Sequence, residues 1–251
     1  MKEFYINDDG IKIHAKLERP DQGEKHPLVI LVHGYTGHME EDHILGVRDA
    51  ILSAGFAALR VEMYGHGKSD GAFRDHTLYK WISNMLKVVE YAGSLDFVTD
   101  LYLCGHSQGG LLVMLIAGMC PDRLKSIIPL SPAWMIPGDA RRGEMLGAKV
   151  DPINIPDTFV QGEVNTLSGN YLRTAQTIHV EDEIERYAGP VLIVHGDNDE
   201  AVPYEYGVKA AKLYRNARLV TIPGDDHCYN SHLDLVENAV REFLLEQKDQ
   251  N

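Results

Sequence analysis

Across its 251 residues the chain sets 24 Lys and Arg against 37 Asp and Glu, a formal net charge of −13, with 44% apolar and 24% charged residues. Such a composition suits a globular protein of one large α/β domain or two small ones. Its acidity argues against nucleic-acid binding, which needs clustered Lys and Arg. Three scattered cysteines, Cys104, Cys120 and Cys228, supply neither a disulfide framework nor a CxxC pair for zinc or redox chemistry. The odd count fits a reducing compartment. The acidic start at residues 1–9 lacks the apolar run of a signal peptide, and the longest apolar run, residues 111–120, is too short to span a bilayer. A cytoplasmic protein without membrane attachment is the expectation.

Two β-like stretches, residues 4–6 and 11–18, flank the turn signal Asp8-Asp9-Gly10 and predict an antiparallel edge hairpin. Residues 27–33 form a continuous apolar run between Pro27 and His33-Gly34, as in a strand buried on both faces. Helical spacing over 41–54 sets Ile44, Val47, Ile51 and Leu52 on one face. A second buried strand follows at 56–61, a helix at 78–92, and a short strand at 101–104 that runs into glycine. Residues 111–119 form a helix apolar nearly all round, hence a central one, and 124–130 a fourth strand. Strands at 190–195 and 217–222 alternate with helices at 205–214 and 232–246. Strand alternating with helix means right-handed βαβ units and a mostly parallel sheet covered on both faces. Residues 132–176 break the rhythm. They are rich in Pro and Gly and far exceed the dozen or so residues a crossover needs, so they form either a lid over a ligand site or a neutral decoration.

Ligand sites in open α/β sheets lie beyond the carboxyl ends of the strands, and four strand ends carry reactive residues. The strand at 101–104 enters Gly105-His106-Ser107-Gln108-Gly109-Gly110 and then the apolar helix, a G-x-S-x-G pattern in its strand–turn–helix context. A nucleophilic serine must project from a sharp turn, and the flanking glycines let strand and helix pass closely. The helix start leaves backbone N–H groups free, so the Gln108 N–H can face a developing oxyanion. The strand at 27–33 ends in His33-Gly34-Tyr35-Thr36-Gly37, where Gly34 admits a substrate close to the backbone and the Tyr35 N–H offers a second oxyanion donor.

The last two strands lead into Gly196-Asp197-Asn198-Asp199-Glu200 and Pro223-Gly224-Asp225-Asp226-His227-Cys228. Ser107, an aspartate and His227 therefore occur in the order Ser…Asp…His, each on a loop after a strand. A serine hydroxyl needs an imidazole to take its proton, and the imidazole needs a carboxylate to fix its tautomer. Residue chemistry alone leaves Asp197 and Asp199 both open as the acid, while Asp226, as a sequence neighbour of His227, points elsewhere. Gly65-His66-Gly67-Lys68-Ser69 looks like a P-loop ending, but Glu62 stands where the first Walker glycine belongs. His33, His38 and His43, interspersed with Glu40, Glu41 and Asp42, match no metal-ligand spacing, and 38–42 reads as an acidic helix start. Neither a metal nor a cofactor is expected.

With nucleophile, acid and base in this order on these strand ends, the chain resembles a serine hydrolase of the α/β-hydrolase fold over nearly its whole length. Gly105-His106-Ser107-Gln108-Gly109-Gly110, His33-Gly34-Tyr35-Thr36-Gly37-His38 and Leu130-Ser131-Pro132-Ala133-Trp134 are similar to the bacterial cinnamoyl (feruloyl) esterases. In that superfamily the acid ends a Gly-x-x-Asp followed by Val-Pro, which the resemblance places at Asp199 rather than Asp197. It further implies a lid at 132–176 over the active site, inserted into a core of 1–131 and 177–251. Asp139 and Tyr171 would then reach phenolic hydroxyls, with Gly34 and Trp134 also binding substrate.

The implied function is hydrolysis of hydroxycinnamate esters (ferulate, caffeate, p-coumarate) through an acyl-serine intermediate. The implied partner is a small ester, with no nucleic acid and no membrane, acted on by a monomer or homodimer. A general carboxylesterase or monoacylglycerol lipase would share the same catalytic residues. Acyl transfer or C–C bond hydrolysis on the same triad, and a binding protein without catalysis, are the remaining alternatives.

Overall fold

The computed structural model describes residues 1–20, 25–162 and 165–248. An antiparallel hairpin opens the chain, β1 (Lys2–Asp8) and β2 (Ile11–Glu18). Its turn passes through Asp9 and Gly10, both at positive φ, and Asn7 Oδ1 accepts the Gly10 N–H at 3.1 Å. Regular alternation follows: β3 (His26–Val32), α1 (Asp42–Ser53), β4 (Ala57–Val61), α2 (Leu78–Gly93), β5 (Val98–His106), α3 (Gln108–Met119) and β6 (Ser126–Leu130). Next come α4 (Met135–Arg141), the short pair β7 (Glu144–Met145) and β8 (Ala148–Lys149), the pair β9 (Thr158–Gln161) and β10 (Asn165–Ser168), and α5 (Asn170–Ala175). The chain then resumes with α6 (Val180–Arg186), β11 (Val191–Gly196), α7 (Glu205–Leu213), β12 (Ala217–Ile222) and α8 (Leu233–Lys248).

Eight strands share one sheet in the order β1-β2-β4-β3-β5-β6-β11-β12. The opening hairpin lies antiparallel at one edge, with β2 antiparallel to β4, and all later pairings are parallel. Successive residues of β3 serve opposite faces, as the period of two demands. Leu28, Ile30 and Val32 join a core with Trp81, Met85 and Val88 of α2 and with α3, while Val29 and Leu31 join Ile44 and Val47 of α1 and Val240 and Phe243 of α8. Helix α3 is buried over its first eleven residues, which explains why its sequence is apolar on every side. Among the described residues no helix is long and apolar enough to cross a membrane.

The order places β3 between β4 and β5, so the chain leaves β3 toward one side of the sheet and returns on the other. That reversal opens a crevice at the carboxyl ends of β3 and β5. His33 and Ser107 immediately follow those two ends.

Two differences from the sequence-based expectation have physical causes. Strand β5 starts at Val98, ahead of its apolar run, because the His26 N–H pairs with Phe97 O at 2.8 Å and draws the more exposed residues 98–100 into the ladder. Residues 132–176 contain two short helices and two small hairpins, each too brief to leave a periodic signature in sequence.

Candidate active site

Ser107 stands between β5 and α3 at φ 58°, ψ −118°, a conformation rare for a residue with a side chain. The neighbouring chain packing makes this turn possible. A Cβ on Gly105 would fall 2.4 Å from Gly109 O, and one on Gly109 would fall 2.4 Å from His33 O. Only glycine therefore lets β5, α3 and the end of β3 approach so closely. The Ser107 N–H donates to Leu130 O at 2.9 Å, and Ser107 O accepts from the Ala133 N–H at 3.0 Å. Both bonds anchor the serine backbone to the end of β6 and the loop beyond it.

Asp199 and His227 come together from loops 28 residues apart. Asp199 Oδ2 meets His227 Nδ1 at 2.7 Å. The other carboxylate oxygen accepts the N–H groups of Ala201 at 2.9 Å and Val202 at 2.8 Å. Burial opposes the charge of Asp199, but hydrogen bonds from His195 and His227 and from the Val202 N–H outweigh it and hold the carboxyl well below the usual carboxylate range. The carboxylate is thus ionised and fixed, the state required to orient an imidazole.

Asp197 turns away. Its Oδ1 accepts the Gly224 N–H at 2.6 Å and ties the two acid- and base-bearing loops together. Asp226 caps its own turn through the N–H groups of Cys228 and Asn230. Asp199 also carries a second imidazole that sequence reasoning missed. His195 Nε2, at the end of β11, lies 3.2 Å from Asp199 Oδ2 and 3.0 Å from Val202 O. Both partners are acceptors, so Nε2 bears the proton. A histidine ending the strand before Gly-x-x-Asp was the available signal.

The Gln108 N–H occupies the first position of α3, where no intrahelical acceptor exists. The Gly34–Tyr35 peptide is trans, and its carbonyl accepts from His33 Nδ1 at 2.7 Å, so the Tyr35 N–H leaves the opposite edge. His33 Nε2 accepts the Met63 N–H at 3.1 Å, which assigns the proton to Nδ1. Burial, reinforced by the nearby His66, pushes His33 down to about 3 and keeps it neutral. Gly34 packs tightly here, since a Cβ would sit 3.1 Å from Ser107 Cβ. Next to the serine, His106 Nε2 donates to His227 O at 2.8 Å and ties the nucleophile turn to the histidine loop.

One cavity of about 190 Å³ brings Gly34, Tyr35, Ser107 and His227 to a common surface. Met135, Ile136 and Leu146 from the 132–176 excursion form an apolar wall, joined by Ala201 and Val202. A neighbouring cavity of about 690 Å³ shares Met135, Leu146 and Ala201 and is lined by Asp139, which forms a close ion pair with Arg142. Tyr171 is fully buried and donates to Gln108 Oε1 at 2.6 Å. Trp134 is buried against Tyr206 and beneath the Lys209 ammonium, and lines neither cavity.

The Gly65–Ser69 loop faces a protein carboxylate: Glu62 Oε2 accepts the Lys68 N–H at 2.7 Å and lies 2.7 Å from His14 Nδ1. A Cβ on Gly67 would fall 2.0 Å from that carboxyl group. Glu62 thus fills the place that a phosphate would need.

A serine on a strained turn, an imidazole held by a buried carboxylate, and two backbone N–H groups at neighbouring strand ends are equipment for acyl transfer. Fold and site define a hydrolase of the α/β-hydrolase class. Residues 23–171 match the family model described as "Serine aminopeptidase, S33", and residues 168–250 match that of "TAP-like protein". The chain belongs to the first of these families.

Among solved structures it is similar to Est1E from Butyrivibrio proteoclasticus with ferulic acid bound, at 59% identity and a TM-score of 0.96, covering 98% of this chain and 99% of that one. Among curated proteins, human Protein ABHD12B is 27% identical over 240 residues, covering 88% of this chain, which spans only 61% of that relative's length. The bifunctional esterase/perhydrolase DCH of Acinetobacter calcoaceticus is 25% identical over 264 residues, covering 89% of this chain and 92% of its own.

Proposed function

We propose that this protein is a serine esterase that hydrolyses hydroxycinnamate esters through an acyl-serine intermediate. The observation that carries the reading is the 59% identity, over nearly the whole chain, to a protein solved with ferulic acid bound. The Asp199–His227 pair beside Ser107 supports it chemically.

In this mechanism His227 takes the proton of Ser107 as the hydroxyl attacks the ester carbonyl, and Asp199 stabilises the resulting imidazolium. The N–H groups of Tyr35 and Gln108 receive the oxyanion. Each such donor contributes roughly a hundred- to a thousandfold in rate. His227 then passes its proton to the leaving alcohol, and water releases the acid from Ser107 by the same route. Residues 132–176 serve as a lid on a core of 1–131 and 177–251. Its Met135, Ile136 and Leu146 offer an apolar wall to the aromatic acyl group, and Asp139 in the adjoining cavity offers an acceptor to a phenolic hydroxyl. The protein acts on its small ester as a cytoplasmic monomer or homodimer, without nucleic acid or membrane.

The apolar wall would also admit an aliphatic chain, which favours a general carboxylesterase or monoacylglycerol lipase as the second reading. Hydrolysis of methyl ferulate compared with that of a monoacylglycerol separates the two. A clear excess in kcat/KM for the ferulate is expected. Equal rates, or an excess for the glyceride, would transfer the assignment to the second reading.

A further inference from the structure

The cavity at Ser107 has a lining of two chemistries. Toward the excursion it is apolar and runs on into the neighbouring cavity through Met135, Leu146 and Ala201. Thr36, Gly37, Glu41 and Cys228 also line it, and none of them lines that neighbour. Among its described lining residues Glu41 is the sole acid.

Glu41 is held in place. It occupies the N-cap position of α1, its Oε2 accepts the His38 N–H at 3.1 Å, and its carboxyl fills the space above Gly37, where a Cβ would fall 2.3 Å from Oε2. Among the described residues no Lys or Arg pairs with it, and Oε1 takes part in no hydrogen bond. The nearest imidazole nitrogen, His43 Nε2, is 3.9 Å from Oε2, and burial pushes that ring down to about 4, so it brings no charge at neutral pH. Glu41 therefore offers the cavity a fixed acceptor with one oxygen to spare.

The direction of the leaving group follows from the chemistry. Its oxygen has to receive a proton from His227, so the alcohol leaves past the residues that adjoin this histidine. Cys228 follows His227 in the chain, and both line the cavity together with Glu41. An alkyl alcohol lying there would strip water from the Glu41 carboxylate and return nothing. An alcohol bearing its own carboxylate would meet like charge.

We propose that Glu41 forms the alcohol subsite, accepting hydrogen bonds from the hydroxyl groups of a neutral, polyhydroxylated leaving alcohol of the sugar class and rejecting acidic alcohols. The acyl half of the substrate rests on the hydroxycinnamate reading above; the alcohol half does not.

Matched esters with one acyl group test it. Feruloyl arabinose is compared with methyl ferulate, and caffeoyl quinate, whose alcohol is anionic, with methyl caffeate. In the wild type the sugar ester should exceed its methyl ester about tenfold in kcat/KM, and the quinate ester should fall below its methyl ester. Glu41→Gln should raise the quinate-to-methyl ratio about tenfold and lower the sugar-to-methyl ratio, and Glu41→Lys should raise the former further in a salt-sensitive way. A merely structural Glu41 would lower all four rates together. Unchanged ratios in soluble, folded variants, or a wild type indifferent to the alcohol, would overturn the proposal. Should none of the four esters be hydrolysed, the hydroxycinnamate reading fails, and butyryl glucose against methyl butyrate then decides the Glu41 subsite by the same ratios.

Discussion

Tyr171 on α5 donates its hydroxyl proton to Gln108 Oε1 at 2.6 Å, and both side chains are shut off from solvent. The 132–176 excursion is thereby fastened to the residue proposed to offer its backbone N–H to the oxyanion. Among the described residues Gln108 Nε2 has no partner of its own, so Tyr171→Phe would leave the buried amide without its one described hydrogen bond. A loss of about 1–3 kcal/mol in unfolding free energy is expected, with kcat reduced more than KM is raised. Urea titration and steady-state kinetics check the two effects. Full stability and full kcat in Tyr171→Phe would show that the contact carries neither.

The two acid candidates separate by mutation. Asp199→Asn removes the carboxylate that receives His227 and His195, and kcat should fall by about four orders of magnitude. Asp197→Asn weakens only the 2.6 Å bond to the Gly224 N–H, so a stability change of about 1 kcal/mol and near-normal kcat are expected. The reverse pattern in kcat would move the acid to Asp197.

Asp139 lines the adjoining cavity, where burial, opposed in part by Arg142, raises its carboxyl above the ordinary value. Asp139→Asn should weaken turnover of ferulate and caffeate esters by about fivefold relative to the unsubstituted cinnamate ester, the cost of one hydrogen bond to a phenol. Paired kcat/KM values on methyl caffeate and methyl cinnamate measure it. Equal losses on both would remove Asp139 from phenol recognition.

Buried histidines set the acid limit of stability. Burial pushes His33 and His76 to about 3 and His43 to about 4. Above pH 6.5 these rings are neutral in folded and unfolded chains alike, and their contribution is complete. Between pH 6.5 and 4 the unfolded chain binds protons that the folded one refuses, so stability falls as pH falls. The slope is about 1.4 kcal/mol per pH unit for each ring. Asp199 works in a lower window: its depressed value adds stability above about pH 4 that is lost only below it. Denaturant unfolding at pH 7.5, 6 and 5 should show the loss, and His43→Phe should reduce the slope by one proton. A flat profile between pH 7.5 and 5 would contradict the neutral assignment.

Much of this site is legible in sequence because its signals are local. Ser107 sits in a strand–glycine–serine–helix run whose meaning depends on six adjacent residues. Asp199 and His227 follow identifiable strands, though choosing Asp199 over Asp197 from the residues alone was impossible; only the folded chain brings one of them to the imidazole. The contacts of His195, His33 and Glu41 are hidden from the sequence for the same reason. Each acts through a partner on another turn or loop, Val202 and Asp199, Met63, or the cavity wall, that no periodicity reveals. The excursion was the least legible part. Its described helices and strands are two to seven residues long, and Tyr171 finds its partner 63 residues away in Gln108.

Whether Ser107 is the acylated nucleophile of a hydroxycinnamate esterase is tested most directly by single-turnover mass spectrometry with methyl ferulate. Wild type quenched early should carry a feruloyl adduct on the peptide containing Ser107, and Ser107→Ala should bind the ester yet show neither adduct nor turnover. An adduct on another residue, or retained turnover in Ser107→Ala, would contradict the account.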